Sequence, residues 1–361
     1  MDDRVERRKS SGRGALGNPS GRFERFRFVP EPEDRPGDPD DEPPRLATVV
    51  VPDASRTVIA RNDSPDVPFD QSVNPYRGCE HGCVYCFARP SHSYLGLSPG
   101  LDFESRIFSK PEAPRLLAGE LRRRGYRCKV LVLGANTDPY QPAERELRIT
   151  RGILEVLRDH RHPVNVVTKS ALVLRDLDVL TPMAAERLAS VMISITTLDP
   201  ALAQTMEPRA ASPRLRLAAI RALRDAGVPV GVLASPMIPA VNDAELERIL
   251  AASADAGARW AGTILVRLPH EVKEIFSAWL AEHAPLKAKR VLARLRDLRD
   301  GTLDAPEFHT RMTGSGPYAD LLARRFEVAC RRLGLDTGRP VLETSLFRLP
   351  PRPGDQRSLF A

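Results

Sequence analysis

Residues 74–92 read NPYRGCEHGCVYCFARPSH and hold Cys79, Cys83 and Cys86 in a C-x3-C-x2-C spacing. Three of only five cysteines within eight residues indicate metal binding, because a disulfide scaffold spreads its cysteines more evenly. Three thiolates fill three corners of a [4Fe–4S] cube, and since no fourth cysteine is near, one iron stays open for a small ligand. Zinc held by these thiolates and His81 or His92 is the alternative.

Beyond this loop, short β-branched runs alternate with amphipathic helical patterns. The apolar runs are KVLVLG (129–134), VNVVT (164–168), VMISITT (191–197), VPVGVLA (228–234) and WAGTILV (260–266). Helices are predicted around 143–160, from Thr181 and Pro182 onward, from Ser212 to Gly227, and from Asp243 to Gly257. Such apolar runs are typical of parallel strands buried on both faces. They predict an α/β fold, a partial (β/α)6-type or full barrel, with an open doubly wound sheet as the alternative.

The two ends of the chain differ in composition from this core. Residues 1–45 are first basic and then acidic and proline-rich, with few apolar side chains, so we expect them to be disordered. Residues 46–285 are expected to form the barrel, residues 286–350 a basic helical extension, and residues 351–361 a flexible tail. The charged N-terminus and the lack of a long apolar run predict a cytoplasmic protein without a membrane segment.

The formal net charge of +7 comes mainly from arginine, since only seven of the 54 basic residues are lysine. Arginine suits phosphate binding, which favours a nucleic-acid partner, although the codon bias of a G+C-rich genome gives the same composition. The exposed face predicted over residues 287–300 carries a cluster of basic side chains, namely Lys287, Lys289, Arg290, Arg294 and Arg296. This face either binds along the phosphates of a nucleic acid or is an ordinary helix face exposed to solvent.

The cysteine spacing, with Tyr85 directly before the last cysteine, resembles the signature of the radical S-adenosylmethionine (SAM) superfamily. The surrounding stretch, together with GANTDPYQPAE (134–144) and EPRAASPRLRLAAIRALRDAGVPV (207–230), is similar to a branch related to spore photoproduct lyase and labelled DNA repair photolyase-like. The resemblance implies a radical SAM barrel whose [4Fe–4S] cluster cleaves SAM to methionine and a 5′-deoxyadenosyl radical. It also implies an electron donor such as flavodoxin or ferredoxin, and a lyase-like reaction in DNA repair.

The resemblance also implies roles for individual residues. Cys79, Cys83 and Cys86 would ligate the cluster, and Tyr85 would cover the adenine of SAM. The loop after the second strand would receive the SAM ammonium group through Gly134, Asn136, Thr137 and Asp138, unless it is only a turn. Related lyases carry a hydrogen-donating cysteine after this strand, where the present chain has Asn136, so a thiol-based repair reaction is not expected. Cys128 and Cys330 are expected to be buried structural thiols.

Four further side chains are candidates for SAM binding. Ser194 and Thr196 share one face of a strand, from which they either reach the ribose or satisfy each other. Lys169, just after the third strand, and Arg216, at the start of the helix that opens at Ser212, are candidates for the SAM carboxylate, or are surface charges.

The last residues contain the peptide QRSLF, with Gln356, Leu359 and Phe360. It resembles the short peptide by which bacterial polymerases and repair proteins bind the sliding clamp, and it follows a proline-rich linker. The sequence therefore predicts a radical SAM enzyme acting on DNA. The alternatives are the same chemistry on tRNA, a protein or a metabolite, and a non-catalytic iron–sulfur or zinc protein that binds nucleic acid.

Overall fold

A computed structural model describes residues 12–24, 46–336 and 338–350. The main sheet contains six parallel strands: β3 (Gln71–Val73), β6 (Leu131–Leu133), β7 (Val164–Thr168), β8 (Ala189–Ser194), β9 (Val230–Met237) and β10 (Ala261–Leu265). An antiparallel strand, β2 (Ile59–Arg61), pairs with β3 at one edge. A smaller sheet joins β1 (Val49–Pro52), β5 (Arg106–Ser109) and β4 (Tyr76–Arg77).

The order of the parallel strands decides between the two predicted architectures. Along the main sheet it runs β10-β9-β8-β7-β6-β3, so each parallel strand lies beside the parallel strand of this sheet that comes next in the chain. A doubly wound sheet reverses its strand order at a switch point, and this sheet does not. The partial (β/α)6 barrel is confirmed, and the loops that follow the parallel strands gather at one edge of the sheet.

Helices connect these strands. They are α1 (Leu101–Ser105), α2 (Ala113–Leu121), α3 (Glu144–Leu147), α4 (Ile149–Asp159), α5 (Leu177–Ala185), α6 (Pro200–Met206), α7 (Pro213–Asp225) and α8 (Leu246–Ala256). The predicted helix 143–160 is divided because Arg148 adopts a left-handed conformation with φ 49°. The predicted start at Thr181 and Pro182 is wrong, because α5 begins at Leu177 and contains the proline. Val179, Leu180 and Met183 are buried in α5, and their burial offsets the lost backbone hydrogen bond.

The C-terminal region is helical, as predicted. It contains α9 (Val272–His283), α10 (Pro285–Asp297) and α11 (Pro317–Leu333). Leu322, Ala329 and Cys330 of α11 belong to the same apolar core as the barrel strands. The basic side chains of α10 that the sequence singled out are all exposed. Among the described residues, no helix is long and apolar enough to span a membrane.

Part of the N-terminal segment is ordered, so the prediction of disorder is wrong for residues 12–24. Arg13 donates to the Glu104 carbonyl at 2.6 Å, and Arg22 donates from its backbone to the Glu271 carboxylate at 3.0 Å. Composition did not indicate this because the partners lie 91 and 249 residues away in the chain. The remaining residues up to 45 lie outside the described part of the chain.

Candidate metal and cofactor site

The cysteine loop, residues 78–86, follows β3 and β4 and therefore lies at the edge where the parallel strands end. Gly78 and Gly82 have φ of 79° and 68°, a left-handed conformation that glycine adopts at little cost. The Cys79 backbone N–H donates to the Phe103 carbonyl at 2.9 Å, and that of Cys86 donates to the Cys83 carbonyl at 3.2 Å. These turns hold three thiols on one short loop, with Cys79 and Cys83 buried and Cys86 half-buried.

The three thiols fit a cluster better than a single ion. All three are free, and burial raises the pKa of each. Backbone hydrogen bonding by Asp138 at Cys79, and by Ala88 at Cys86, acts against this rise and lowers the two pKa values. Within residues 12–24, 46–336 and 338–350, no three Cys, His, Asp or Glu side chains converge as ligands of one ion. A cube does not need that convergence, because each cysteine bonds a different iron.

The two histidines proposed as a fourth zinc ligand face other groups. His92 Nε2 lies 3.0 Å from the Arg106 carbonyl oxygen, and His81 Nδ1 lies 3.3 Å from the Asp138 carboxylate, without the alignment of a hydrogen bond. Both rings are buried in these positions. The geometry therefore favours a cluster with three cysteine ligands.

A buried ion pair supports the cysteine loop from behind. Arg89 and Glu104 are fully buried and lie 2.5 Å apart. Arg89 also donates to the Cys83 carbonyl at 2.8 Å and to the Gly82 carbonyl at 3.1 Å. These charge-assisted bonds fix the backbone of the second cysteine in place.

Residues 12–24 cover the outer side of this ion pair. The backbone N–H groups of Gly14 and Ala15 donate to the Glu104 carboxylate at 2.9 and 2.8 Å. A Cβ on Gly14 would lie 1.8 Å from the Gly82 carbonyl oxygen, so only glycine allows this approach. The ordered N-terminal segment is therefore part of the support of the cysteine loop.

The loop after β6 carries four of the residues expected to bind SAM. Gly134 has φ 87°, and a Cβ there would lie 2.3 Å from the Val167 carbonyl oxygen. Thr137 is buried and donates from its hydroxyl to the Tyr76 carbonyl at 2.8 Å. Asn136 has an exposed side chain and donates from its backbone to Asn74 at 2.9 Å. The structure thus gives Gly134 and Thr137 a packing role and leaves the Asn136 side chain open to solvent.

Asp138, the fourth residue, links three elements. Its carboxylate accepts from the Thr168 hydroxyl and from the Lys169 backbone N–H, each at 2.7 Å, and lies against His81 of the cysteine loop. Burial alone would raise the pKa of Asp138, but His81 and the hydrogen bonds hold it below its ordinary value. Asp138 is therefore an ionised support that joins the cysteine loop to the end of β7.

The other predicted residues meet around a glutamate that the sequence analysis did not single out. Glu207 is fully buried, forms an ion pair with Arg216 and lies 3.3 Å from Lys169. Its carboxylate accepts from the Thr196 hydroxyl at 2.5 Å and from the Tyr85 hydroxyl. The adjoining segment packs on the cysteine loop, where the Val84 N–H donates to the Met206 carbonyl at 3.0 Å. The ends of β7 and β8, helix α7 and the cysteine loop thus converge on one carboxylate.

Lys169 completes this buried network, which we call the Glu207 cluster (Tyr85, Lys169, Ser194, Thr196, Glu207 and Arg216). Its ammonium group donates to the Ser194 hydroxyl at 2.7 Å and to the Thr196 hydroxyl at 3.3 Å. Burial lowers the pKa of Lys169 to about 8. The alternative that Lys169 and Arg216 are surface charges is wrong, because both side chains lie inside the barrel edge.

The remaining predicted residues lie elsewhere. Cys330 is buried in α11, as expected, whereas Cys128 is only half-buried and precedes β6, at the opposite end of that strand from the site. Gln356, Leu359 and Phe360 lie outside the described residues.

Comparison with known proteins agrees with this geometry. The sequence model of the Radical SAM superfamily matches residues 73–252. Uncharacterized proteins of Mycobacterium tuberculosis and Mycobacterium bovis are 37% identical over 234 residues, which are 64% of this chain and 68% of theirs. An uncharacterized protein of Methanocaldococcus jannaschii is 29% identical over 174 residues, 48% of this chain and 62% of its own.

Solved structures show the same fold. A spore photoproduct lyase complexed with dinucleoside spore photoproduct has a TM-score of 0.55 and 16% identity, over 79% of both chains. A variant of that enzyme with bound AdoMet and the same ligand has a TM-score of 0.56, also at 16% identity and over 79% of both chains. The chain therefore belongs to the radical SAM superfamily, which uses a [4Fe–4S] cluster and S-adenosylmethionine as cofactors.

Proposed function

We propose that this protein is a radical SAM enzyme that acts on DNA. The observation that carries the radical chemistry is the loop holding Cys79, Cys83 and Cys86 at the C-terminal edge of the barrel, beside a buried cationic cluster. A bound cluster supplies the electron that cleaves the C–S bond of SAM to give methionine and a 5′-deoxyadenosyl radical. Arg89, through the Cys83 carbonyl, and Asp138, through His81, keep the loop fixed.

The Glu207 cluster is proposed to form one wall of the SAM site. Lys169 and Arg216 carry two positive charges against the single charge of Glu207, so the network is net cationic and suits the SAM carboxylate. Tyr85 presents its ring to the Lys169 ammonium group, 5.7 Å from the ring centre. A water-excluded setting of this kind strengthens each of these interactions.

Two observations support DNA as the substrate. The chain has a net charge of +7, and α10 exposes a row of lysine and arginine side chains. In addition, the solved enzymes of this fold bind a dinucleoside photoproduct. The lyase reaction is not part of this proposal, because Cys128 precedes β6 and Cys330 lies in α11. Neither thiol lies at the C-terminal end of β6, which is the end that faces the candidate site.

Anaerobic reconstitution tests this proposal. Reduced, cluster-loaded protein with SAM is expected to form 5′-deoxyadenosine faster when single-stranded, duplex or ultraviolet-irradiated DNA is added. DNA with deuterated sugars and bases should transfer deuterium into the 5′-deoxyadenosine, and reduced flavodoxin or ferredoxin should replace the chemical reductant. RNA of the same sequences is the matched control. Equal rates with DNA, with RNA and without nucleic acid would show that DNA is not the substrate.

We further propose that the C-terminal peptide binds the DNA sliding clamp. Leu359 and Phe360 are apolar residues for a clamp pocket, and Gln356 is a hydrogen-bonding anchor. Immobilised bacterial clamp is expected to retain the intact protein and to lose most of a variant with Leu359→Ala and Phe360→Ala. A variant with Arg357→Ala and Ser358→Ala, which alters the same tail but keeps the anchors, serves as control. Equal recovery of all three proteins would contradict clamp binding.

A further inference from the structure

An exposed aromatic ring lies directly after the last cysteine of the loop. Phe87 is 48% exposed. Its neighbours Cys86 and Ala88, in contrast, pack in one apolar group with Cys79 and Phe103. The guanidinium carbon of Arg267 lies 5.8 Å from the centre of this ring. Arg267 follows β10, so the pair stands at the C-terminal edge of the barrel, beside the cysteine loop.

The backbone of Arg267 is held firmly in this place. Val266 and Leu268 on either side of it are buried in one apolar cluster with Cys83 and Tyr85. The Val266 N–H also donates to the Met237 carbonyl at the end of β9, at 2.9 Å. Arg267 is therefore presented to the rim of the site by a rigid strand end and not by a loose loop.

The guanidinium of Arg267 lacks the partners that its basic neighbours have. Arg311 pairs with Asp66, and Arg299 donates to the Val266 and Arg311 carbonyl oxygens. The Nε atoms of Arg267 and Arg299 are both buried and meet no hydrogen-bond acceptor in the part of the chain that the structure describes, but the two other nitrogens of Arg299 have the carbonyl partners just named. A donor without an acceptor is costly, so an acceptor on a ligand would stabilise the Arg267 guanidinium.

A second contact between an arginine and a phenylalanine ring lies nearby, although this arginine is already paired with Asp66. The Arg311 guanidinium carbon lies 4.5 Å from the centre of the Phe308 ring, and Phe308 is 51% exposed. Burial is the main cause that lowers the pKa of Arg267. The positive charge of the nearby Arg311 lowers this pKa further. Two exposed rings and two arginines thus share one side of the site entrance.

We propose that Phe87 and Arg267 form a nucleotide subsite at the rim of the active site, a conclusion that rests on the proposed action on DNA. A base stacks on the solvent-facing side of Phe87, and an adjacent phosphate accepts hydrogen bonds from Arg267. Aromatic rings and arginines are the residues that bind single-stranded nucleic acids through stacking and charge. The position next to Cys86 places the bound nucleotide beside the cluster. The Phe308–Arg311 pair extends the same surface to a neighbouring nucleotide.

Binding of a fluorescein-labelled single-stranded oligodeoxynucleotide to the cluster-loaded protein, followed by fluorescence anisotropy, tests the subsite. Phe87→Ala and Arg267→Gln are each expected to weaken binding about tenfold, and Phe87→Tyr to keep most of it, because the ring remains. Arg267→Gln should also reduce the slope of log affinity against log salt by about one. Arg115→Gln, which removes an equally charged but remote side chain from α2, is the control. All proteins are compared at equal iron and sulfide content.

Each outcome has a distinct meaning. Unchanged affinity in Phe87→Ala and Arg267→Gln, with tight binding by the unaltered protein, overturns the subsite and leaves the action on DNA standing. Weakened binding in these variants, together with no stimulation of 5′-deoxyadenosine formation by DNA, supports the subsite and removes DNA as the substrate. Absence of oligonucleotide binding by the unaltered protein overturns both.

Discussion

Replacement of Cys83 by alanine is expected to abolish cluster binding and, with it, the formation of 5′-deoxyadenosine. The chain offers three thiolates on the loop, and loss of one leaves two ligands for a cube that already has one iron open. The alanine backbone remains fixed by the Arg89 hydrogen bond, so the loop keeps its shape while the ligand is lost. Iron and sulfide analysis of the anaerobically reconstituted protein, with chromatographic detection of 5′-deoxyadenosine, measures both effects.

The two cysteines outside the loop provide matched controls. Cys128→Ala and Cys330→Ala remove a thiol from the entry side of β6 and from α11, so iron content should equal that of the unaltered protein. Cys330→Ala is expected to lower stability slightly, because the thiol is buried in the core. Full iron content in Cys83→Ala would contradict the assignment of the ligand. One zinc per chain in place of iron would contradict the cluster itself.

The barrel strands could be predicted because burial on both faces leaves a simple mark in the sequence. The run VNVVT coincides with β7, and VMISITT overlaps β8, whose residues are all buried. The run VVVP of β1 resembles these strands in sequence, but its side chains are exposed, and β3 left no such mark. Gln71–Val73 has only three residues, of which two are polar, and its place in the sheet comes from pairing with β6 and β2, which lie apart from it in the chain.

In the candidate site, too, residues that lie close together in the sequence could be predicted, and residues that meet only through tertiary packing could not. The three cysteines proposed as cluster ligands could be found from their spacing, because a compact loop carries its ligands close together in sequence. Glu207 could not, since a single glutamate followed by proline in a loop has no local feature that distinguishes it. Only tertiary packing brings Lys169, Thr196 and Arg216 to it from three other elements. In the structure the Arg216–Glu207 pair is recognised by the near-complete burial of both side chains.

Glu207→Gln is expected to destabilise the cluster-loaded protein by about 3–5 kcal/mol, because removing one partner of a buried charge group leaves the others uncompensated. Glutamine keeps the size of the side chain and accepts from Thr196, but it removes the carboxylate charge that pairs with Arg216 and faces Lys169. Denaturant-induced unfolding measures the change.

The control is Glu343→Gln, because Glu343 pairs with Arg187, whose side chain is 69% exposed. An exposed pair contributes at most about 1 kcal/mol, so this variant should unfold close to the unaltered protein. Equal stability of the two variants would mean that Lys169 and Arg216 do not depend on the Glu207 carboxylate. The proposal that the Glu207 cluster forms a wall of the SAM site would then lose its structural basis. If only Glu207→Gln is destabilised, adding SAM should restore part of the loss, because its carboxylate supplies a negative charge to the same two cations.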